Sequence, residues 1–238
     1  MINLFRKIRQ QLADDNKPLK YMRYAIGEIV LVVIGILIAL QINNWNEWRK
    51  DREKEQKVLI TLAKNLERNS VILRSGLSYI EKLDNSSKIV FDFFEGKVTY
   101  HDSLDNHFDL GRRNGIMQGI ISLEGYENYK NAGFDIILSD VIKENVLHLF
   151  EVEYPGLDAY RQILLEDLSA NKKYDIIRNQ YFRKNKPNNV IALLNSTDMY
   201  EMYNEPYIMR SLLKMVLNRL LDNTKRVHQL ILEELGIV

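Results

Sequence analysis

Nine consecutive residues gather more potential ligands than any other stretch of this chain: His101-Asp102-Ser103-Leu104-Asp105-Asn106-His107-Phe108-Asp109. Imidazole nitrogens and carboxylate oxygens bind divalent metals, so His101, Asp105, His107 and Asp109 are the candidate ligands. Their spacing matches no established template. It is not H-E-x-x-H, and it lacks the Gly and the closing Glu of a calcium loop, so a polar loop is the simpler expectation. Gly111, Gly115 and Gly119 follow, beside Arg112 and Arg113. A phosphate cradle needs Gly followed by Lys-Ser/Thr, or a strand leading into G-x-G-x-x-G. Neither is present, which leaves turns and close backbone contacts. His148 and His228 fall inside helical stretches and read as structural, and no G-x-S-x-G elbow occurs. The chain has no cysteine, which excludes disulfides, zinc-thiolate sites, iron–sulfur clusters and thiol nucleophiles. No cofactor is implied.

Whatever these residues do, the elements that carry them are helical. The 238 residues include only 4 prolines and 11 glycines, so breaks are few and long helices are expected. The hydrophobic share of 46% and charged share of 27% are those of an ordinary packed domain. A net charge of +1 supplies no field for nucleic acid.

The first fifty residues differ from the rest. Ile29–Leu40 reads IVLVVIGILIAL, and the apolar segment extends from Tyr24 to Ile42 with Glu28 and Gln41 as its strongly polar members. As a helix it is about 28 Å long, close to the hydrocarbon thickness of a bilayer. Tyr24 stands at one end, and Trp45 and Trp48 at the other, as an interfacial belt requires. A cleaved signal peptide would need small residues before its cut, and Ala39 stands alone, with Leu37 two places before it. The expectation is an uncleaved anchor.

Lysines and arginines flank it almost evenly: Arg6, Lys7, Arg9, Lys17, Lys20 and Arg23 before, and Arg49, Lys50, Arg52, Lys54 and Lys57 after. Long following domains translocate largely regardless of charge, which favours the N-terminus inside. Leu4, Phe5, Ile8 and Leu12 lie at helical spacing among basic residues, the pattern of an amphipathic tail on an anionic leaflet. Glu28 lies about one turn inside the apolar segment, where a carboxylate is costly. Gly35 and Ala39 form a small-xxx-small pair, with Gly35 on the face of Glu28, which suggests a seam for a second helix.

The segments Phe5-Arg6-Lys7-Ile8-Arg9-Gln10 and Tyr24–Glu47 (YAIGEIVLVVIGILIALQINNWNE) resemble the opening of domain of unknown function 6090, a family of small membrane proteins of Bacteroidota. A looser pattern continues at Tyr126-Glu127-Asn128-Tyr129-Lys130 and Gly133-Phe134. The resemblance implies a bacterial envelope protein with one membrane helix and a helical domain, and implies no activity.

The expected fold is mainly α: a basic tail at 1–23, a transmembrane helix at 24–42, a charged stalk at 43–57 and a helical bundle at 58–238. Leu59, Leu66, Leu73 and Ile80 repeat every seven residues, with Leu62 and Leu83 at the companion position, which Asn69 and Gly76 interrupt. This long helix is expected to break at Asn85-Ser86-Ser87, with Ile89–Phe94 helix or strand. A helix over 120–132 stops at Gly133. Ser139 or Asp140 caps the next, which Pro155-Gly156 ends. A helix over 156–182 turns Ile163, Leu164, Leu168, Tyr174 and Ile177 inward. One over 188–203 is interrupted at Asn195–Asp198. The last runs from Pro206 to Leu235, with Leu212, Leu213, Val216, Leu220, Val227, Ile231 and Leu235 facing in.

Three functions fit this outline. The first is an envelope interaction or scaffold module in the bacterial inner membrane, its N-terminus cytoplasmic and its large domain periplasmic. Its partners would be the bilayer, a second copy or another protein. The second is an extracytoplasmic enzyme or metal-binding protein using His101–Asp109. The third is a ligand sensor that passes its signal to a partner, since the short tail holds no output domain.

Overall fold

The computed structural model describes residues 18–115, 121–170 and 172–237, with side chains for 22–115, 121–163 and 174–237. The proposed tail helix around Leu4–Leu12, Gly119 and the side chains of Leu164 and Leu168 lie outside these residues.

The chain is helical almost throughout. Helix α1 runs Pro18–Phe94, and α2 runs Leu104–Gly111. Helix α3 (Glu124–Ala132) stops at Gly133, whose φ of 92° suits a residue without a Cβ, and a 3-10 turn follows at Phe134–Ile136. Helix α4 (Asp140–His148) is capped by Ser139, whose side chain accepts from Ile142 N–H. A π turn at Leu149–Glu153 leads directly into α5 (Tyr154–Ala170). Helix α6 (Lys172–Tyr181) ends in a small antiparallel hairpin, β1 (Phe182–Arg183) with β2 (Lys186–Pro187), which pairs Phe182 with Pro187. Helix α7 (Val190–Leu194) precedes α8 (Thr197–Glu234), capped by Ser196.

The chain divides into two compact units, Met1–Lys54 and Glu55–Val238. In the first, the apolar stretch is long enough to cross a membrane. Its best eighteen-residue window has a mean hydropathy of 2.6, and none of that window is buried. Exposed short-range contacts follow it, such as Asn43 Nδ2 to Glu47 Oε1 at 3.0 Å and Lys54 Nζ to Asp51 Oδ1 at 3.2 Å.

In the second unit, the heptad leucines do what their spacing predicts: Leu59, Leu62, Leu66, Leu73, Ile80 and Leu83 are all buried. Most of them join Tyr129, Val146, Phe150, Tyr154, Leu217 and Ile231 in one hydrophobic cluster. A second cluster holds Val90, Phe93, Phe108, Phe182, Met199 and Tyr203. Asn69 does not spoil the helix. It is buried and accepts from Ser122 N–H (2.9 Å) while donating to Ser122 O (3.0 Å). Asn65 does the same one turn earlier, donating to Ser122 O and accepting from Gly125 N–H, both at 3.0 Å. The two amides thus dock the start of α3 on α1.

Several expected boundaries differ. No break occurs at Asn85-Ser86-Ser87. Ser86 and Ser87 are buried inside α1, and Ser87 Oγ donates to Gly111 O at 2.9 Å, so these small side chains admit α2. Pro155-Gly156 ends nothing: the π turn at Leu149–Glu153 runs directly into α5 and absorbs the register change there. Pro206 lies within α8, whose flanks are held by buried Met202 and Tyr203 before it and Leu213 after it. Leu212 and Ile163, expected inside, are 47% and 63% exposed. Leu213 takes the inward place beside Leu212.

Candidate functional site

The nine-residue segment places its ligands apart. His101 precedes α2, and its Nδ1 is 2.6 Å from Ser103 Oγ. Asp102 accepts from Lys186 Nζ at 3.0 Å, and Asp105 accepts from Tyr100 O–H at 2.9 Å. His107 Nδ1 lies 3.2 Å from Ser86 Oγ. Burial alone would raise the Asp109 pKa, but hydrogen bonds from Arg113 and Arg112 outweigh it and hold the carboxyl below its ordinary range. Each group is therefore satisfied by neighbours outside the candidate set. Among the described residues no three of His, Asp and Glu stand close enough to share an ion.

Gly111 and Gly115 lie against other elements. Gly111 O accepts from Ser87 Oγ and from Arg210 Nη1. Gly115 has φ of 79°, and a Cβ there would come within 3.0 Å of Arg210 Cγ. Close backbone approach, and not an open phosphate loop, is what these positions provide.

The anchor residues lie along the first part of α1. Tyr24, Gly35, Ala39, Trp45 and Trp48 are exposed, and a Cβ added at Gly35 would meet nothing within 4 Å. Glu28 is half-buried on the same helix.

A cleft that the sequence did not announce lies where the π turn and the start of α5 meet α8. It encloses about 450 Å³. Glu153 closes the π turn, its side chain only 9% exposed. Both of its carboxylate oxygens accept from Asn223 Nδ2, at 2.9 Å each, and its Oε1 lies 3.4 Å from His148 Nε2. In an α-helix, residues five apart diverge by about 140° around the axis. The π turn removes that divergence and brings His148 and Glu153 to one side. Spacing rules for α-helices therefore could not pair them. Tyr160 and Arg219 also line the cleft, with Val152, Leu157 and Val216 forming its apolar wall.

The other exposed feature is a stripe on α8. Ile208, Leu212 and Met215 are 49%, 47% and 70% exposed, and their four-then-three spacing puts them on one face. Glu205 and Asp198 continue that face toward the helix start. Both are exposed, and neither makes an ion pair among the described residues.

Residues 28–95 match the family described as Family of unknown function (DUF6090). The matched span begins at Glu28 in the apolar stretch and closes one residue after α1 ends. It thus includes Asn65, Asn69, Asp84 and Ser87. No curated protein and no solved structure matches the chain.

Proposed function

We propose that this chain is a membrane-anchored interaction module of the bacterial cell envelope. Its apolar helix spans the inner membrane with the N-terminus in the cytoplasm, and its helical domain docks a partner protein outside. The observation that carries this reading is the α8 stripe. An apolar row at heptad spacing is normally buried, and here Ile208, Leu212 and Met215 face solvent. The fitting occupant is an amphipathic helix of another protein, laid along α8 with its own apolar face inward and basic residues opposite Glu205 and Asp198. Gly35 and Ala39 leave one side of the anchor thin, and this supports a second helix approaching within the membrane as well.

A photo-crosslinking residue placed at Met215 in living cells tests the docking. The expected result is one discrete adduct, absent when the same residue replaces exposed Lys130 on α3. Leu212→Glu should abolish the Met215 adduct, and Glu205→Lys should weaken it. Equal adducts at both positions, or an adduct indifferent to Leu212→Glu, would refute the α8 face as the docking surface.

A further inference from the structure

We propose that the cleft between the π turn, α5 and α8 binds a free α-amino acid with an apolar side chain, its ammonium on Glu153 and its carboxylate on Arg219. This goes beyond partner docking and does not depend on the α8 stripe.

The cleft presents two opposite charges that do not satisfy each other. Glu153 is nearly buried, and the groups within reach of it are the uncharged amide of Asn223 and the exposed imidazole of His148. A buried carboxylate without a full cation beside it is costly, and an ammonium ligand relieves that cost. Arg219 is exposed and makes no ion pair or hydrogen bond among the described residues. Its planar fork is suited to a carboxylate held through two parallel bonds. Arg219 and Asn223 are four residues apart on α8, so they are neighbours about 5–6 Å apart at Cβ. Asn223, one helical turn from Arg219, holds Glu153, so an anionic and a cationic recognition group line the same cleft. An α-amino acid carries its ammonium and carboxylate on a single carbon and presents one charge to each.

The rest of the cleft selects the side chain. Val152, Leu157 and Val216 offer an apolar wall. The Tyr160 hydroxyl is buried and lacks a hydrogen-bond partner among the described residues, so a ligand carboxylate or amine that reaches it gains a bond without displacing one. The volume of about 450 Å³ lies in the range of small-ligand sites and accommodates a branched aliphatic side chain with water beside it. The π turn ties these features together. Single π turns are frequent at functional sites, and this one positions both His148 and Glu153 at the cleft.

Thermal unfolding of the full chain in detergent, titrated with L-leucine, tests the proposal. Isocaproate, which lacks the ammonium, and isopentylamine, which lacks the carboxylate, serve as half-molecules. Leucine should raise the melting temperature saturably, and each half-molecule should require at least about tenfold more for the same shift. Arg219→Gln changes an exposed residue and should fold normally while weakening leucine at least about tenfold; Glu153→Gln should do the same. Equilibrium dialysis with labelled leucine provides a readout independent of stability. No saturable leucine binding, a half-molecule as effective as leucine, or unchanged binding by Arg219→Gln would each overturn the proposal.

Discussion

Arg210 on α8 is fully buried, and its Nε donates to Asp84 Oδ1 on α1 at 2.7 Å. One turn further along α8, Lys214 lies 3.9 Å from Glu81, so the two helices run antiparallel here. The guanidinium also donates to Gly111 O (3.1 Å), to Ser87 Oγ (2.5 Å) and to Arg113 O. On α1 the first cluster reaches Ile80 and the second starts at Val90, and on α8 they are separated between Tyr203 and Leu213. The Arg210 network fills that interval on both helices and fixes their register. Breaking a buried pair strands its partner, at a cost of about 3–5 kcal/mol. Arg210→Met should therefore lose about that much stability in chemical denaturation. Arg210→Met with Asp84→Leu should recover part of it, because no charge is then left buried.

Gly125 tests how tightly α3 is docked. A Cβ there would stand 2.7 Å from Asn65 Cβ and 2.9 Å from Thr61 O, a backbone atom that cannot swing away. Gly125→Ala should cost about 1–3 kcal/mol, as overpacking does. Gly156→Ala is the control: it lies in α5 with nothing within 4 Å of its new Cβ, and should be neutral or stabilising by up to about 1 kcal/mol. Melting temperatures of the two variants decide the matter. If Gly125→Ala melts with the parent chain, α3 is not docked as described.

Physical causes decide which features of the fold the sequence discloses. Leu59, Leu66, Leu73 and Ile80 were legible because one helix face meets the core for several turns, so spacing alone locates it. Gly133 and Ser139 were legible because their roles at helix ends are local. Asn69 and Ser87 read as flaws since their partners, Ser122 and Gly111, are distant in sequence. Leu212 and Leu213 are adjacent apolar residues, and only the packing of α8 shows which of them faces out. The cleft was invisible because His148 and Glu153 meet only through a π turn. The apolar anchor was the plainest feature, because twelve uninterrupted apolar residues leave a helix no polar face to turn toward water.

Alkaline pH should weaken the fold through its buried tyrosines. Burial pushes the Tyr154 phenol up to about 12, although the hydrogen bond with Thr224 at 3.0 Å works against this. Burial also raises Tyr129 to about 12, with the Asp135 charge adding to it. An unfolded tyrosine ionises near 10. The stabilising contribution is thus fully present below about 10 and is lost as pH rises through about 12. Between these values Tyr154 alone should lower stability by up to about 1.4 kcal/mol per pH unit. Unfolding curves from pH 9 to 12 should steepen accordingly, and Tyr154→Phe should remove part of the slope. A stability that does not fall across this interval would show that these phenols are hydrated.

The anchor makes the strongest demand on the protein's behaviour. The window of mean hydropathy 2.6 contains no buried residue. Burying ~19 such residues in lipid holds far more firmly than a basic tail on the surface could. The chain should therefore remain with membranes through carbonate and high-salt washes. Recovery in the soluble fraction of a product starting near residue 40 would mean a cleaved signal peptide instead. Orientation is tested separately, since Lys and Arg are nearly balanced across the span. Protease added to intact spheroplasts should digest the unit from Glu55 to Val238 and spare the N-terminal tail, whereas protection of that unit would reverse the orientation. Reversal would move the α8 stripe and the amino-acid cleft into the cytoplasm, where their partners would have to be sought.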